Sequence, residues 1–121
     1  MCTFNVITKA KDCTKCSLDK IVKYLNSEYL DAIDPDADSI SNKKLFYCGI
    51  TGNIDENLNR HNVKGYTACC LCESYQIAAQ VEEKLGEMGF DIGNPKNKIG
   101  NGGNKDSKIV YMIKKEDDFR K

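Results

Sequence analysis

The stretch FYCGITGNIDENLNRHN, residues 46–62, decides how this chain folds. The nearly continuous apolar run over residues 44–50 predicts a strand in the centre of a sheet. A polar segment follows, in which Thr51 or Asn53 can cap a short helix by accepting hydrogen bonds from its first amides. A strand that leads directly into a capped helix predicts a layered domain in which sheet and helix pack together.

Two periodicities extend this pattern outward in both directions. Alternation of apolar and polar residues predicts strands, and apolar residues three and four apart predict helices. The predicted strands are residues 2–9, 44–50, 66–72 and 108–115, and the predicted helices follow Ser17, Asn53 and Ser74, the last ending at Gly89. We therefore predict a single α+β domain over residues 1–121, with a small antiparallel or mixed sheet of about four strands flanked by three helices.

Composition excludes several classes of function. The 121 residues suit one domain, and the 18 basic residues balance the 18 acidic ones. A balanced charge argues against extended duplex DNA as a partner, because such proteins need a basic surface. No apolar run approaches the roughly 20 residues that span a bilayer, and the N-terminus lacks a signal-peptide pattern. We expect a cytoplasmic protein that does not contact membranes.

Seven cysteines raise the question of a disulfide or zinc site. Their odd number and the missing secretory signal argue against a disulfide framework. Cys13 and Cys16 have zinc-ligand spacing, but Cys69, Cys70 and Cys72 do not repeat it. We predict reduced cysteines that pack as small apolar residues and bind no structural metal, with a zinc site as the alternative.

The stretch Tyr47-Cys48-Gly49-Ile50-Thr51, its helix ending in NRHN, the next strand and SYQIAAQVEEKL together resemble the second half of the GIY-YIG nuclease motif. The resemblance covers roughly residues 44–88 and implies a GIY-YIG-like fold. That family hydrolyses phosphodiester bonds with one divalent metal ion, a tyrosine, an arginine and a glutamate. For an active enzyme the resemblance implies that Tyr47 is the catalytic tyrosine and that Glu82 binds Mg²⁺ or Mn²⁺.

Two departures from the family pattern argue against catalysis. Asn57 occupies the position of the family's arginine, and Arg60, three residues further along, is the substitute that an active enzyme would need. The GIY triplet and its tyrosine are not found before Tyr47. We therefore expect no catalytic residues, no metal and no other cofactor, with a metal-dependent endonuclease as the alternative.

Helical spacing gives two of these residues structural interpretations as well. His61 shares a helical face with Ile54 and Leu58, which favours a partly buried, hydrogen-bonded histidine over a catalytic base. Glu82 lies at the polar edge of its predicted helix, where carboxylates commonly face water.

The loop GNPKNKIGNGGNKDS, residues 93–107, favours binding of phosphate or nucleotide edges. Glycines allow backbone amides to form an anion-binding concavity, and asparagine and lysine add donors. Only two of the eighteen basic residues are arginines, the usual bidentate phosphate ligands, and Phe90 can stack on a base or lie in the core. The predicted ligand-binding residues are Arg60, Phe90, Asn101, Gly102, Asn104, Lys105 and Arg120.

Together these features predict a non-catalytic protein that binds a small phosphorylated nucleotide. The combination is also similar to small phage anti-defence proteins of the Thoeris type, which sequester cyclic ADP-ribose isomers and, in some members, cyclic oligonucleotides. That resemblance implies a compact homo-oligomer that acts as a sponge for such signals. One small chain cannot readily enclose a dinucleotide, so we expect the site between subunits. A plain protein-interaction module is the third alternative.

Overall fold

The computed structural model describes residues 7–32, 43–92, 107–115 and 119. In this part of the chain three helices alternate with four strands. The strands are β1 (Lys11–Asp12), β2 (Phe46–Thr51), β3 (Ala68–Leu71) and β4 (Ile109–Lys114), and the helices are α1 (Leu18–Ala32), α2 (Ile54–His61) and α3 (Tyr75–Met88). The predicted α+β class, with a four-stranded mixed sheet and three helices, is confirmed.

The sheet has the strand order β1-β3-β4-β2. Strand β4 runs antiparallel to both β2 and β3, while the short β1 runs parallel to β3. Near the N-terminus Ile7 forms an isolated antiparallel bridge with Tyr66. Residues 2–6 of the strand predicted over residues 2–9 lie outside the described residues, so this prediction is tested only at residues 7–9. Of these, Ile7 forms the bridge to Tyr66, and the first strand among the described residues is Lys11–Asp12.

Strand β2 was predicted to be central, and this was wrong: β2 lies at the edge and β4 is central among the described strands. The segment after α3 covers this edge. The Cys48 amide donates to the Asp91 carbonyl at 2.8 Å, and the Asp91 amide donates to the Phe46 carbonyl at 3.1 Å. With this edge and both faces covered, β2 is as apolar as a central strand.

Helices α1 and α3 cover one face of the sheet, which we call the α1/α3 face. Tyr29 of α1 lies at its centre and packs edge-on against Phe46 and Phe90, with ring centroids 5.1 and 5.0 Å apart. The other buried residues of this layer include Ile21, Leu25, Cys48, Cys70, Val81, Leu85, Val110 and Met112. Cys48 of β2 and Cys70 of β3 pack here as small apolar residues, as predicted.

Helix α2 covers the opposite face, which we call the α2 face. Its buried centre consists of Tyr66, Cys69, Tyr111 and Ile113. Strand β4 therefore directs Val110 and Met112 to one side and Tyr111 and Ile113 to the other, which confirms its predicted alternation.

Side-chain caps explain where two of the helices begin and end. The Glu56 amide donates to Asn53 Oδ1 at 3.0 Å, so Asn53 is the cap of α2. Thr51 supports this cap, because its Oγ1 accepts from the Asn53 amide at 3.2 Å. Ser74 caps α3, and Gly89 ends it in the left-handed region at φ 112°, where glycine is favoured.

Candidate functional site

Tyr111 lies at the centre of a polar cluster on the α2 face. It pairs across the sheet with Gly49, whose missing side chain makes room for the ring. A Cβ on Gly49 would lie 2.6 Å from Tyr111 Cζ, and nearer still to its hydroxyl oxygen. The hydroxyl lies 2.8 Å from Nε2 of the buried His61 at the end of α2. Gly49 thus permits the contact that joins β4 to α2.

Arg60 completes a chain of hydrogen bonds with Tyr111 and His61. Its Nη2 lies 3.4 Å from the Tyr111 hydroxyl and 3.3 Å from His61 Nε2. A guanidinium can only donate, so Tyr111 accepts from Arg60. The direction of the Tyr111–His61 hydrogen bond depends on which imidazole nitrogen carries the hydrogen. The chain of contacts fixes one end of an otherwise exposed arginine.

Asn57 has a structural contact in place of a phosphate contact. Only 2% of the residue is exposed, and its Oδ1 accepts from the Tyr66 hydroxyl at 2.9 Å. The same hydroxyl lies 3.1 Å from the Ile54 carbonyl. The Asn57 side chain therefore links α2 to Tyr66, in the segment that leads into β3. Among the described residues, Arg60 carries the only guanidinium.

Three rings form a surface beside Arg60, which we call the aromatic platform: Tyr47, His61 and Phe119. The Phe119 and His61 rings are nearly parallel, 6° apart in orientation with centroids 5.2 Å apart. Tyr47 is tilted against both, at centroid distances of 5.3 and 5.5 Å. His61 is buried, whereas Tyr47 and Phe119 are partly exposed. Tyr47 and Phe119 therefore offer aromatic surface to a ligand near the positive charge of Arg60, while His61 supports them from below.

Burial and nearby charges shift the pKa values of both tyrosines upward. Burial raises the pKa of Tyr47, Glu82 raises it further, and Arg60 opposes the shift. Burial also raises the pKa of Tyr111, against the opposing effects of Asn57 and Arg60. Both phenols are therefore protonated at neutral pH, and they act as hydrogen-bonding groups.

Glu82 is buried, with 4% of the residue exposed, and this corrects the water-facing position expected from its helix. Helix α3 packs against β2, which brings the carboxylate close enough to act on Tyr47 and on Cys48. Burial raises the pKa of the Cys48 thiol and Glu82 raises it further. Glu82 and Arg60 therefore both act electrostatically on Tyr47, but they belong to helices that cover opposite faces of the sheet.

The remaining predicted ligand-binding residues lie elsewhere or outside the described part of the chain. Phe90 is 2% exposed in the α1/α3 face, on the other side of the sheet from Arg60, so its ring has the core role that was its alternative. Asn101, Gly102, Asn104, Lys105 and Arg120 lie outside the described residues.

Two residues of the site were missed from the sequence, Tyr111 and Phe119. Tyr111 lies in the strand predicted over residues 108–115, where alternation with Ile109 and Ile113 indicates only that these side chains face the same way. The signal was its hydroxyl, since a buried tyrosine usually finds a hydrogen-bond partner. Phe119 is the one apolar residue of a polar tail after the last predicted strand, and no pattern there indicates a contact.

No protein-family model, curated protein or solved structure matches this chain. Within the ranges described above, no group of three or more His, Cys, Asp or Glu side chains is arranged to hold a metal ion. None of the helices placed in those ranges combines the length and apolarity needed to cross a bilayer. What the site does must be inferred from its own residues, distances and charges.

Proposed function

We propose that this chain binds a small phosphorylated nucleotide through Arg60 and the aromatic platform, and releases it intact. One observation carries the proposal: an exposed arginine is held by Tyr111 and His61 at the edge of partly exposed aromatic rings. A nucleotide combines the two chemical features that such a site recognises, a flat base and an anionic phosphate.

Each half of this recognition has a physical basis. Aromatic side chains stack on bases of any sequence, which contributes about 1–3 kcal/mol per base. A guanidinium presents several N–H groups in a plane and pairs with two phosphate oxygens at once. The contacts to Tyr111 and His61 involve Nη2, so the other donors of Arg60 are oriented before a ligand arrives. This preorganisation reduces the entropy lost on binding.

The ligand class that we favour is a cyclic signal of the cyclic ADP-ribose or cyclic oligonucleotide type, which the protein would sequester as a phage anti-defence sponge. Ligand sites commonly bury most of the ligand's surface, and the platform is a surface on one chain. A second copy of the chain would supply the enclosure. The C-terminal residues are suited to this role, because Phe119 already contributes to the platform.

Calorimetry with cyclic and linear nucleotides tests the proposal. We expect Arg60→Gln to weaken binding about tenfold to a hundredfold, since a charge-assisted hydrogen bond contributes roughly 1.5–3 kcal/mol. Lys84→Gln is the matched control, because it removes one exposed positive charge from α3. Equal affinities of the two variants, or no binding below about millimolar concentration for any nucleotide, would contradict the proposal.

Phosphodiester hydrolysis is a second candidate, and one observation favours it. Tyr111 stands beside Tyr47, with ring centroids 6.3 Å apart, and so supplies the second tyrosine that was not found in the motif. Arg60 and Glu82 both act electrostatically on the Tyr47 phenol, with opposite effects on its pKa. A divalent ion would have to rely on substrate phosphate oxygens and water beyond Glu82, as Mg²⁺ sites often do.

Incubation of labelled DNA and RNA with Mg²⁺ or Mn²⁺ separates the two candidates. Because the described residues contain no group of three or more side chains placed to hold a metal ion, we expect no cleavage by the parent protein. Cleavage that disappears in Glu82→Gln, while nucleotide binding persists, would establish hydrolysis instead. Folding of the variant must be checked by circular dichroism, because Glu82 is buried.

A further inference from the structure

A dithiol lies in the tight turn that connects β1 to α1. The Cys16 amide donates to the Cys13 carbonyl at 3.0 Å, which closes the turn. Asp12 holds its shape, because Asp12 Oδ1 accepts from the Thr14 amide at 3.1 Å and from the Thr14 hydroxyl at 2.7 Å. The turn therefore keeps the two cysteines in a defined relation.

The geometry of this turn suits a disulfide. The first and last Cα atoms of a β-turn are less than about 7 Å apart, and disulfides join Cα atoms roughly 4.4–6.8 Å apart. The thiols of Cys13 and Cys16 also contact each other through a hydrogen bond. Both cysteines are free in this structure.

The two thiols differ in access, which gives each a separate part in the chemistry. Cys13 is 1% exposed, whereas Cys16 is partly exposed at the start of α1. A reagent in solution can reach the Cys16 thiol. The Cys13 thiol is buried behind Cys16 and contacts its sulfur. Attacking and resolving thiols in exchange reactions need this combination of access and proximity.

We propose that Cys13 and Cys16 form a thiol–disulfide exchange site that reacts with low-molecular-weight disulfides of the glutathione class. The Cys16 thiolate attacks one sulfur of the disulfide, forms a mixed disulfide and releases one thiolate. Cys13 then attacks the Cys16 sulfur, which forms the Cys13–Cys16 bond and breaks the mixed disulfide, and the Cys13 proton passes to the departing second thiolate. The protein loses two electrons and two protons, and the small disulfide gains them to become two thiols.

A third thiol makes the assignment of partners testable. Cys70 of β3 contacts Cys13 through a hydrogen bond between their side chains. It is fully buried on the α1/α3 face, where a small disulfide cannot approach it. The turn geometry therefore favours Cys16 as the partner of Cys13.

Oxidised glutathione and peptide mass spectrometry test this site in a Cys2→Ser background, which removes the thiol outside the described residues. Trypsin cleaves after Lys15, so a Cys13–Cys16 bond would join two peptides that otherwise separate. We expect that joined pair, and its loss on reduction. A Cys13–Cys70 linkage, one bound zinc per chain that protects both thiols, or no reaction while the protein remains folded would overturn the proposal.

Two single variants assign the roles. Cys13→Ser should stop the reaction at the mixed disulfide and retain one glutathione on Cys16. Cys16→Ser should take up none, because Cys13 is buried, while Cys48→Ser should react as the background protein does. Glutathione found on Cys13 in the folded Cys16→Ser protein would contradict the assignment.

Discussion

Replacing Gly49 with alanine should separate β4 from α2 at the centre of the site. The new Cβ would lie 2.6 Å from Cζ and 3.0 Å from Cε2 of Tyr111, whereas carbon atoms in contact are about 3.5–4.0 Å apart. The Tyr111 ring must therefore move by about 1 Å. Its hydroxyl now lies 2.8 Å from His61 Nε2, and a shift of that size takes it beyond good hydrogen-bond distance.

The expected loss of stability is about 2 kcal/mol. Overpacking a tightly packed core typically costs about 1–3 kcal/mol, and loss of the Tyr111–His61 hydrogen bond adds about 1 kcal/mol. The lower backbone entropy of alanine in the unfolded chain offsets about 0.5–1 kcal/mol. With a urea dependence near 2 kcal/mol per molar, the unfolding midpoint should fall by about 1 M.

Urea unfolding of a double-mutant cycle with Tyr111→Phe checks this reasoning. Phenylalanine lacks the hydroxyl that the new Cβ approaches most closely and the hydrogen bond that is lost. Gly49→Ala should therefore cost about 1 kcal/mol less in that background. Gly52→Ala is the control, because Gly52 is exposed and does not have a positive φ. A cost below about 0.5 kcal/mol for Gly49→Ala, or the same cost in both backgrounds, would refute the close approach.

Three further predictions concern the cap, the cysteines and the C-terminal tail. Asn53→Ala should lower stability by about 1 kcal/mol in thermal unfolding, because α2 loses its cap; an unchanged stability would assign the cap to Thr51. Burial raises the pKa of Cys72 from 9.0 to about 11, so its stabilising contribution is complete below pH 9 and is lost between pH 9 and 11. Between pH 9 and 11 the free energy of unfolding of the parent protein should therefore fall more steeply than that of Cys72→Ala, by about 1.4 kcal/mol per pH unit. Parallel pH profiles of the parent and the variant would contradict this. Truncation after Lys115 should weaken nucleotide binding about tenfold or more through loss of Phe119 and Arg120, as measured by calorimetry; unchanged affinity would exclude the tail from the site.

Most of the fold was predictable because local patterns agreed with one another. The alternation of β4 placed Tyr111 and Met112 on opposite faces, and Ser74 with Gly89 bounded α3. Strand order was not predictable from the same patterns. Apolar periodicity indicates which faces of a strand are buried. It does not indicate which strands pair, and the edge of β2 is covered by backbone hydrogen bonds to Asp91 that do not depend on side-chain type.

The site was only partly predictable for a related reason. Tyr47, Arg60 and His61 lie within one short stretch, so the strand and helix that carry them suffice to bring them together. Tyr111 and Phe119 come from the other end of the chain. The register of β2 against β4 places Tyr111 opposite Gly49, and Phe119 contacts the rings of Tyr47 and His61 from beyond β4. Glu82 was assigned to water because its helix is amphipathic, but contact of α3 with the edge strand buries that side.

The position of the site on the α2 face has a physical cause in the difference between the two layers. Helices α1 and α3 have 15 and 14 residues, and they bury apolar side chains from every described strand except the short β1. Helix α2 has eight residues and leaves Tyr47 and Phe119 partly exposed. Polar atoms can remain on this side only if they are hydrogen-bonded or reach water, and Arg60, His61 and Tyr111 satisfy one another. The shorter helix thus leaves both the exposed aromatic surface and the fixed charge that the proposed nucleotide binding would use.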